Sequence, residues 1–430
     1  MSQAARILLA LVAGLALGIA GAALSTDVAT TAANIADPIG TLWLNGLRMT
    51  VVPLLVALLI TGIAQTAEAA KAGAIAARAI AWILGLMTVS AIVGAVFTPL
   101  FLSLAPMPTE SAAALRAALS STSAVGEVPP FADFLRSIVP TNPIAAAASD
   151  AILPLIIFTA TFAFAVTRLP PDPRRSLTSF FSAVADAMII VVEWVLKLAP
   201  IGVFALAFVV GARSGAAAFG AVLHYVLTVS AVGAIMALAA YVLAVAGGRV
   251  ALGRFARTIA PVQALAISTQ SSLACLPIML KKSEALGVPE RTAGVILPLA
   301  VALLRATGPA MNIAVALYVA NWFGVEVGPA QYAFAILAAV LTSLGAVSLP
   351  GQVSFVTSIA PICLIIGAPV EALAILIAVE VLPDIMRTLG NVMMDVAVTT
   401  TISRQAGETD ERELGHGATA AARQVGSSGT

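Results

Sequence analysis

The chain reads as long apolar stretches separated by short polar or proline-bearing gaps. Each stretch approaches the roughly 20 residues that a helix needs to cross a bilayer. Over the first 250 residues the pattern predicts helices near 5–24, 39–65, 76–104, 145–168, 180–210 and 218–247. The opening run "MSQAARILLALVAGLALGIAGAAL" has an apolar core too long for a cleaved signal peptide, and further spans follow it, so it counts as the first span. The gap "LPPDPRR" at 169–175 predicts a solvated connector, and the polar stretch from about Gln405 predicts a disordered end.

Between 256 and 403 the pattern changes. Four polar segments containing Ser, Gly or Pro interrupt the apolar runs: "STQSSLACLP" at 268–277, "RATGPAMN" at 305–312, "SLGAVSLPGQVS" at 343–354 and "DIMRTLGNVMMD" at 384–395. Broken backbone at membrane depth survives only where protein buries it or a wet cavity meets it, so the breaks predict a site. "LRATG" at 304–308 and "MRTLG" at 386–390 take corresponding places in two halves, as in a repeat whose discontinuous helices meet at the bilayer midplane.

Charge adds orientation. Lys71 with Arg78, Arg168 with Arg174 and Arg175, and Arg249 with Arg254 and Arg257 fall in alternate loops, which places those loops and the Arg6 end in the cytoplasm. With 60% hydrophobic and 10% charged residues in a chain of 430, there is too little polar surface to cover a water-soluble globule. The net charge of +1 gives no reason to expect a nucleic-acid partner. Cys275 and Cys363, both in apolar segments, read as free packing thiols. Neither an HExxH zinc signature nor a GxSxG nucleophile elbow is present, which argues against an enzyme.

The candidate chemistry lies late in the chain. Glu380, Asp384, Arg387, Thr388, Asn391 and Asp395 are spaced so that a helix holds all six within an arc of roughly 100°. Ionisable groups inside a membrane are expensive and mark pathways or ligand sites more often than scaffolding. Three acids against Arg387 leave an imbalance for a cation, a proton or Arg305 to compensate. His224 reads as a packing or hydrogen-bonding residue, with proton relay as the alternative. Trp43, Trp82 and Trp322 fall near span ends, where aromatic belts are expected, and Trp194 reads as packing.

Several motifs occur in order along the chain: "IVPTNPI" at 138–144, "LAPIGVFALA" at 198–207, "SSLACLP" at 271–277, "SLPG" at 348–351 and "DIMRTLGNVMMD" at 384–395. Together they resemble the dicarboxylate/amino acid:cation symporters, the glutamate transporter homologues. The resemblance implies an all-α polytopic membrane protein with eight transmembrane helices, inverted repeats and two re-entrant helical hairpins, near 256–285 and 331–365. It implies an elevator-type homotrimer in the cell inner membrane, embedded in lipid with both termini cytoplasmic. Residues 1–250 would hold mainly scaffold helices one, two, four and five, with transport helices three and six; 251–403 would form the core transport domain, and 404–430 a cytoplasmic tail.

Residue by residue, the resemblance implies that Arg387 pairs with the side-chain carboxylate of an acidic substrate, that Asp384 holds its amino group, and that Thr388 and Asn391 bind its α-carboxylate and amide region. Ser271 and Ser272 at the first hairpin tip, and Ser348 at the second, complete the expected substrate contacts. Glu380 and Asp395 are candidates for cation or proton coupling, with Na+ or H+ as the coupling ion and no other cofactor. The departures lie in the seventh helix, where the family carries "NMDGT" and this chain has Leu304, Arg305, Ala306, Thr307 and Gly308; Ala300 and Ala302 replace further expected ligands. Hard cations need several oxygens at close range, so a sodium cage is largely dismantled and only Asn391 and Asp395 persist as a possible residual site. Arg305 then has two readings, a built-in cation beside Asp395 or Asp384, or a second ligand for substrate carboxylate. The expected cargo is aspartate or glutamate, with a C4-dicarboxylate second; a non-transporting sensor is the alternative of a different class.

Overall fold

The computed structural model describes residues 3–70, 73–107, 139–149, 151–214, 217–345 and 351–407. Every regular element among them is helical. The first group comprises α1 (Gln3–Leu24), α2 (Thr26–Ala70), α3 (Ala74–Leu104), α4 (Pro143–Ala148), α5 (Ile152–Thr167), α6 (Pro171–Lys197), α7 (Ala199–Ser214) and α8 (Ala217–Ala246). The second comprises α9 (Leu252–Thr269), α10 (Ser272–Ala285), α11 (Glu290–Leu303), α12 (Gly308–Phe323), α13 (Pro329–Gly345), α14 (Gly351–Ile366), α15 (Leu373–Val379) and α16 (Val381–Gln405), with a 3-10 turn at Val370–Ala372. Asp27–Ala70, Ala74–Leu104, Pro171–Lys197, Gly220–Ala246 and Glu290–Phe323 are long and apolar enough to cross a membrane.

Local chemistry explains where the helices depart from the pattern. The span expected at 180–210 is two helices that part at Leu198, because Pro200, in the first turn of α7, brings no N–H with which the preceding helix could continue. The stretch 145–168 is likewise divided; Asn142 caps the short α4 by accepting from the backbone of Ile144 and Ala145, and α5 starts afresh at Ile152. "LPPDPRR" is not a connector throughout. Pro171 opens α6, where a missing N–H costs nothing, and Arg174 and Arg175 lie on that helix. α2 runs for 45 residues through Pro38 and Pro53, well beyond the predicted 39–65.

The tryptophans also differ from expectation. Trp43 is buried and its Nε1 donates to the carbonyl of Val195, Trp322 is buried, and Trp194 is 61% exposed. Trp82 donates to the Gln405 side chain at the end of α16. Both cysteines are free and buried, as packing thiols should be.

The helices sort into two sets by what they touch. α1 packs along α7, and α2 packs on α5, α6 and α7. The sequence "GLALG" supports the first contact: side chains at Gly14 and Gly18 would collide with the carbonyls of Phe204 and Phe208, so glycine lets α1 and α7 approach closely. In the other set α16 lies against α8, α9, α10 and α11, while α3 packs on α12, α11 and α8. α9 and α10, parted by a short break at Gln270–Ser271, are neighbours, and so are α13 and α14. The α3–α12 contact is fixed by Gly94, where a Cβ would meet the Ala310 backbone, and by Ser90, whose Oγ accepts the Ala310 N–H at 3.1 Å. That amide sits in the first turn of α12, where no intrahelical partner exists.

Gly94→Ala is expected to lower thermal stability in detergent by about 1–3 kcal/mol, because the clash is with backbone that cannot turn away. Gly85→Ala in the same helix, with no atom within 4 Å of the added carbon, is the control and should leave the melting temperature unchanged or raised.

Candidate functional site

The site is built on α16 and the break facing it. Helical backbone ends at Val379, turns at Glu380 and resumes at Val381, so Glu380, Asp384 and Arg387 stand at successive turns on one side. The Arg387 guanidinium is shared three ways. Nη2 donates to Glu380 Oε1 at 2.8 Å, Nη1 donates to Asn312 Oδ1 at 2.9 Å, and Nε faces Asp384 Oδ1 at 3.3 Å. Tyr225 of α8 donates its hydroxyl to the second Glu380 oxygen at 3.3 Å. Glu380 is 2% exposed and Arg387 8%, so each charge depends on these partners. Removing one member of such a buried pair typically costs about 3–5 kcal/mol, since the other is left uncompensated.

The opposing wall is the break at Leu304–Thr307 between α11 and α12, as the "RATG" segment predicts. Arg305 takes a left-handed backbone with φ 37°, which is strained for a residue with a Cβ. Thr307 repairs the broken ladder. Its N–H donates to Asn391 Oδ1 at 2.9 Å, and its hydroxyl lies 2.8 Å from both that oxygen and the Arg387 carbonyl. Gly390 allows this closeness, because a Cβ there would strike the Thr307 methyl. Arg305 lies within electrostatic range of Asp384 and of Arg387.

The turn between α9 and α10 approaches the same point. Gln270 ends α9 in a left-handed turn with φ 49°, and its Nε2 reaches the Val381 carbonyl at 3.4 Å. Ser271 caps α10 by accepting the Ala274 N–H at 3.3 Å, and Ser272 follows as its first residue; both are half-buried. Ser348 lies outside the described residues.

Of the expected residues, Glu380, Asp384, Arg387, Asn391 and Arg305 therefore gather in one place, with Thr388 buried beside Arg387 at 5% exposure. Asp395 stands apart further along α16. It is 1% exposed, and its Oδ1 has no hydrogen-bond partner among the described residues. The pairing of "LRATG" with "MRTLG" is corrected: the first is unwound, whereas the second lies inside continuous helix. Side chains rather than freed backbone supply the polar groups there, so α16 has no reason to break. Asn312, Thr307 and Tyr225 were not singled out by sequence. Thr307 and Asn312 did lie inside the quoted polar break, but Tyr225 gave no local signal.

A polytopic helical bundle with a buried charged cluster beside unwound backbone defines a membrane transporter rather than an enzyme. The chain matches the Sodium:dicarboxylate symporter family over residues 4–405 and belongs to it. It is 28% identical over 417 residues to the proton/glutamate-aspartate symporter of Escherichia coli (strain K12), covering 96% of this chain and 94% of that one. It is 26% identical over 407 residues to the proton/sodium-glutamate symport protein of Bacillus caldotenax, covering 93% and 94%. With the C4-dicarboxylate transport protein of Azorhizobium caulinodans it shares 25% over 379 residues, covering 88% and 84%.

Thr307→Val should destabilise the protein by about 1–3 kcal/mol, because it strips the hydroxyl from a buried network. Thr307→Ser should restore most of the loss in the same thermal unfolding experiment.

Proposed function

We propose that this chain is an elevator-type secondary transporter that carries aspartate or glutamate in symport with protons. Arg387 receives the side-chain carboxylate, Asp384 the amino group, and Glu380 the coupled proton. The observation that carries this reading is the sharing of Arg387 between Glu380 and Asp384. With all four side chains charged, Glu380, Asp384, Arg387 and Arg305 sum to zero. An acidic amino acid adds one net negative charge and competes with Glu380 for the guanidinium. A proton on Glu380 answers both demands, since it cancels the charge and frees a donor face for bidentate binding. Acid on the side from which substrate enters therefore favours loading.

Thr388 and Ser272 are the nearby hydroxyl donors for the second carboxylate. Asn391 is tied to Thr307 through its amide oxygen, so its role is to hold the break closed against α16. Asp395, buried with an unpartnered oxygen, is a second proton carrier or the remnant of a sodium site with Asn391. Arg305 acts as a fixed cation beside Asp384, in place of a bound ion. Its presence also favours the second reading, a C4-dicarboxylate, whose two carboxylates would each meet a guanidinium.

The moving parts follow from the two packing sets. α1, α2 and α4 to α7 form the scaffold; α3 and α8 to α16 form the transport domain, with α9–α10 and α13–α14 as re-entrant hairpins among eight spans. α6 carries exposed Asp186, Glu193, Trp194 and Lys197, and charge on a membrane helix is sheltered by protein. That face supports a homotrimer in the cell inner membrane with its termini cytoplasmic.

The test is uptake into proteoliposomes across a substrate panel. Aspartate or glutamate uptake should persist when choline replaces sodium and stop when the pH gradient is dissipated; collapse without sodium would sink the proton reading. Glu380→Gln, a fixed mimic of the protonated acid, should keep substrate exchange while net uptake no longer scales with the gradient. Arg387→Lys should weaken binding on the order of 100-fold, because an ammonium cannot reproduce the planar fork. Binding without counterflow in the wild type would favour a sensor.

A further inference from the structure

His224 lies on α8 next to Tyr225, and each of its ring nitrogens faces an oxygen. Nε2 is 2.7 Å from the carbonyl of Ala105, and Nδ1 is 3.0 Å from the hydroxyl oxygen of Tyr318. Tyr318 directs its own hydroxyl proton to the carbonyl of Ala221 at 2.9 Å. Counting protons over these three contacts ties the charge of the ring to the direction of the Tyr318 hydroxyl. A carbonyl only accepts, so Nε2 must carry hydrogen; with the Tyr318 proton on Ala221, Nδ1 must carry hydrogen too. A neutral imidazole has a single N–H and cannot make both bonds. A charged ring satisfies all three. Loss of one proton leaves a lone pair on Nδ1, and Tyr318 must then turn its hydroxyl from Ala221 to the ring.

The surroundings point the same way. Ala105 caps the C-terminal end of α3, where the helix dipole favours a cation. The ring is half-buried, and its bond to Ala105 lies at an exposed edge of the bundle. The groups facing the ring are the end of α3 and Tyr318 of α12. On its own helix stand Tyr225 and Thr228, whose hydroxyl donates to the His224 carbonyl. Among the described residues no carboxylate forms an ion pair with it. Tyr318 meets Tyr225 edge to face, with ring centroids 5.3 Å apart and planes at 73°, and Tyr225 is the residue that donates to Glu380.

We propose that His224 is a proton-binding site distinct from the Glu380–Arg387 cluster. In its charged form it ties α8 to the end of α3 and to α12. Its deprotonation reorients Tyr318 and, through Tyr225, changes the hold on Glu380. The effect on transport rests on the proton-coupled reading of Glu380, whereas the protonation of His224 stands on its own geometry and is measured separately.

The chain has two histidines, so His416→Gln, in the polar tail, leaves one imidazole to observe by nitrogen NMR in the reconstituted full-length protein. The ring should pass between a charged and a neutral form within the pH interval over which uptake varies. Tyr318→Phe, which removes the oxygen facing Nδ1, should change the nitrogen shifts of the ring and their response to pH. His224→Gln should flatten the pH profile of uptake over the same interval while leaving substrate affinity at saturating acidity within about twofold. A ring in one charge state throughout, nitrogen shifts unmoved by Tyr318→Phe, or a wild-type pH profile in His224→Gln would each overturn the proposal. Uptake indifferent to pH with a ring that still titrates would instead count against the function of Glu380.

Discussion

The structure turns on one buried guanidinium. Arg387 distributes its donors over Glu380, Asp384 and Asn312, and each of those acceptors is held by a different piece of backbone. Glu380 sits at the turn before α16, Asp384 in its first turn, and Asn312 on α12. Thr307 closes the break onto Asn391 and the Arg387 carbonyl, so the unwound segment and the charged helix stabilise one another. Because dismantling any one contact exposes a buried charge or an unpaired amide, the cluster holds as a unit.

Much of this was legible in the chain. The apolar spacing gave the helical class, and the polar segments marked where helices stop. The stripe from Glu380 to Asp395 identified the helix that carries the charges, because burying so many ionisable groups has few purposes other than binding. Its limits were those of a one-dimensional pattern. Spacing alone placed Asp395 with the cluster, yet in three dimensions the cluster ends near Asn391, since the partners that define it come from α8 and α12. Tyr225 could not be found at all, since nothing local distinguishes a tyrosine that meets a carboxylate from one that fills space.

The helix boundaries erred for a similar reason. Pro200 and Pro143 act on their own neighbours and could be read, but whether a proline divides a span depends on what packs beside it. α2 absorbs Pro38 and Pro53 without interruption, whereas Leu198 parts α6 from α7. "MRTLG" looked like a break because it mixes glycine with polar residues. Its glycine serves contact with Thr307 and its arginine serves the cluster, and neither asks the backbone to unwind.

The bond from Ser90 to the Ala310 amide joins residues 220 positions apart. At a synthesis rate of about 5–20 residues per second, α3 leaves the ribosome some ten to forty seconds before the helix it serves. Until α3 and α12 meet, the Ala310 amide lacks the partner that Ser90 gives it in the folded chain. Assembly of the bundle is thus written into its chemistry: an early helix is a template kept in waiting, and the late half of the chain is fitted to it.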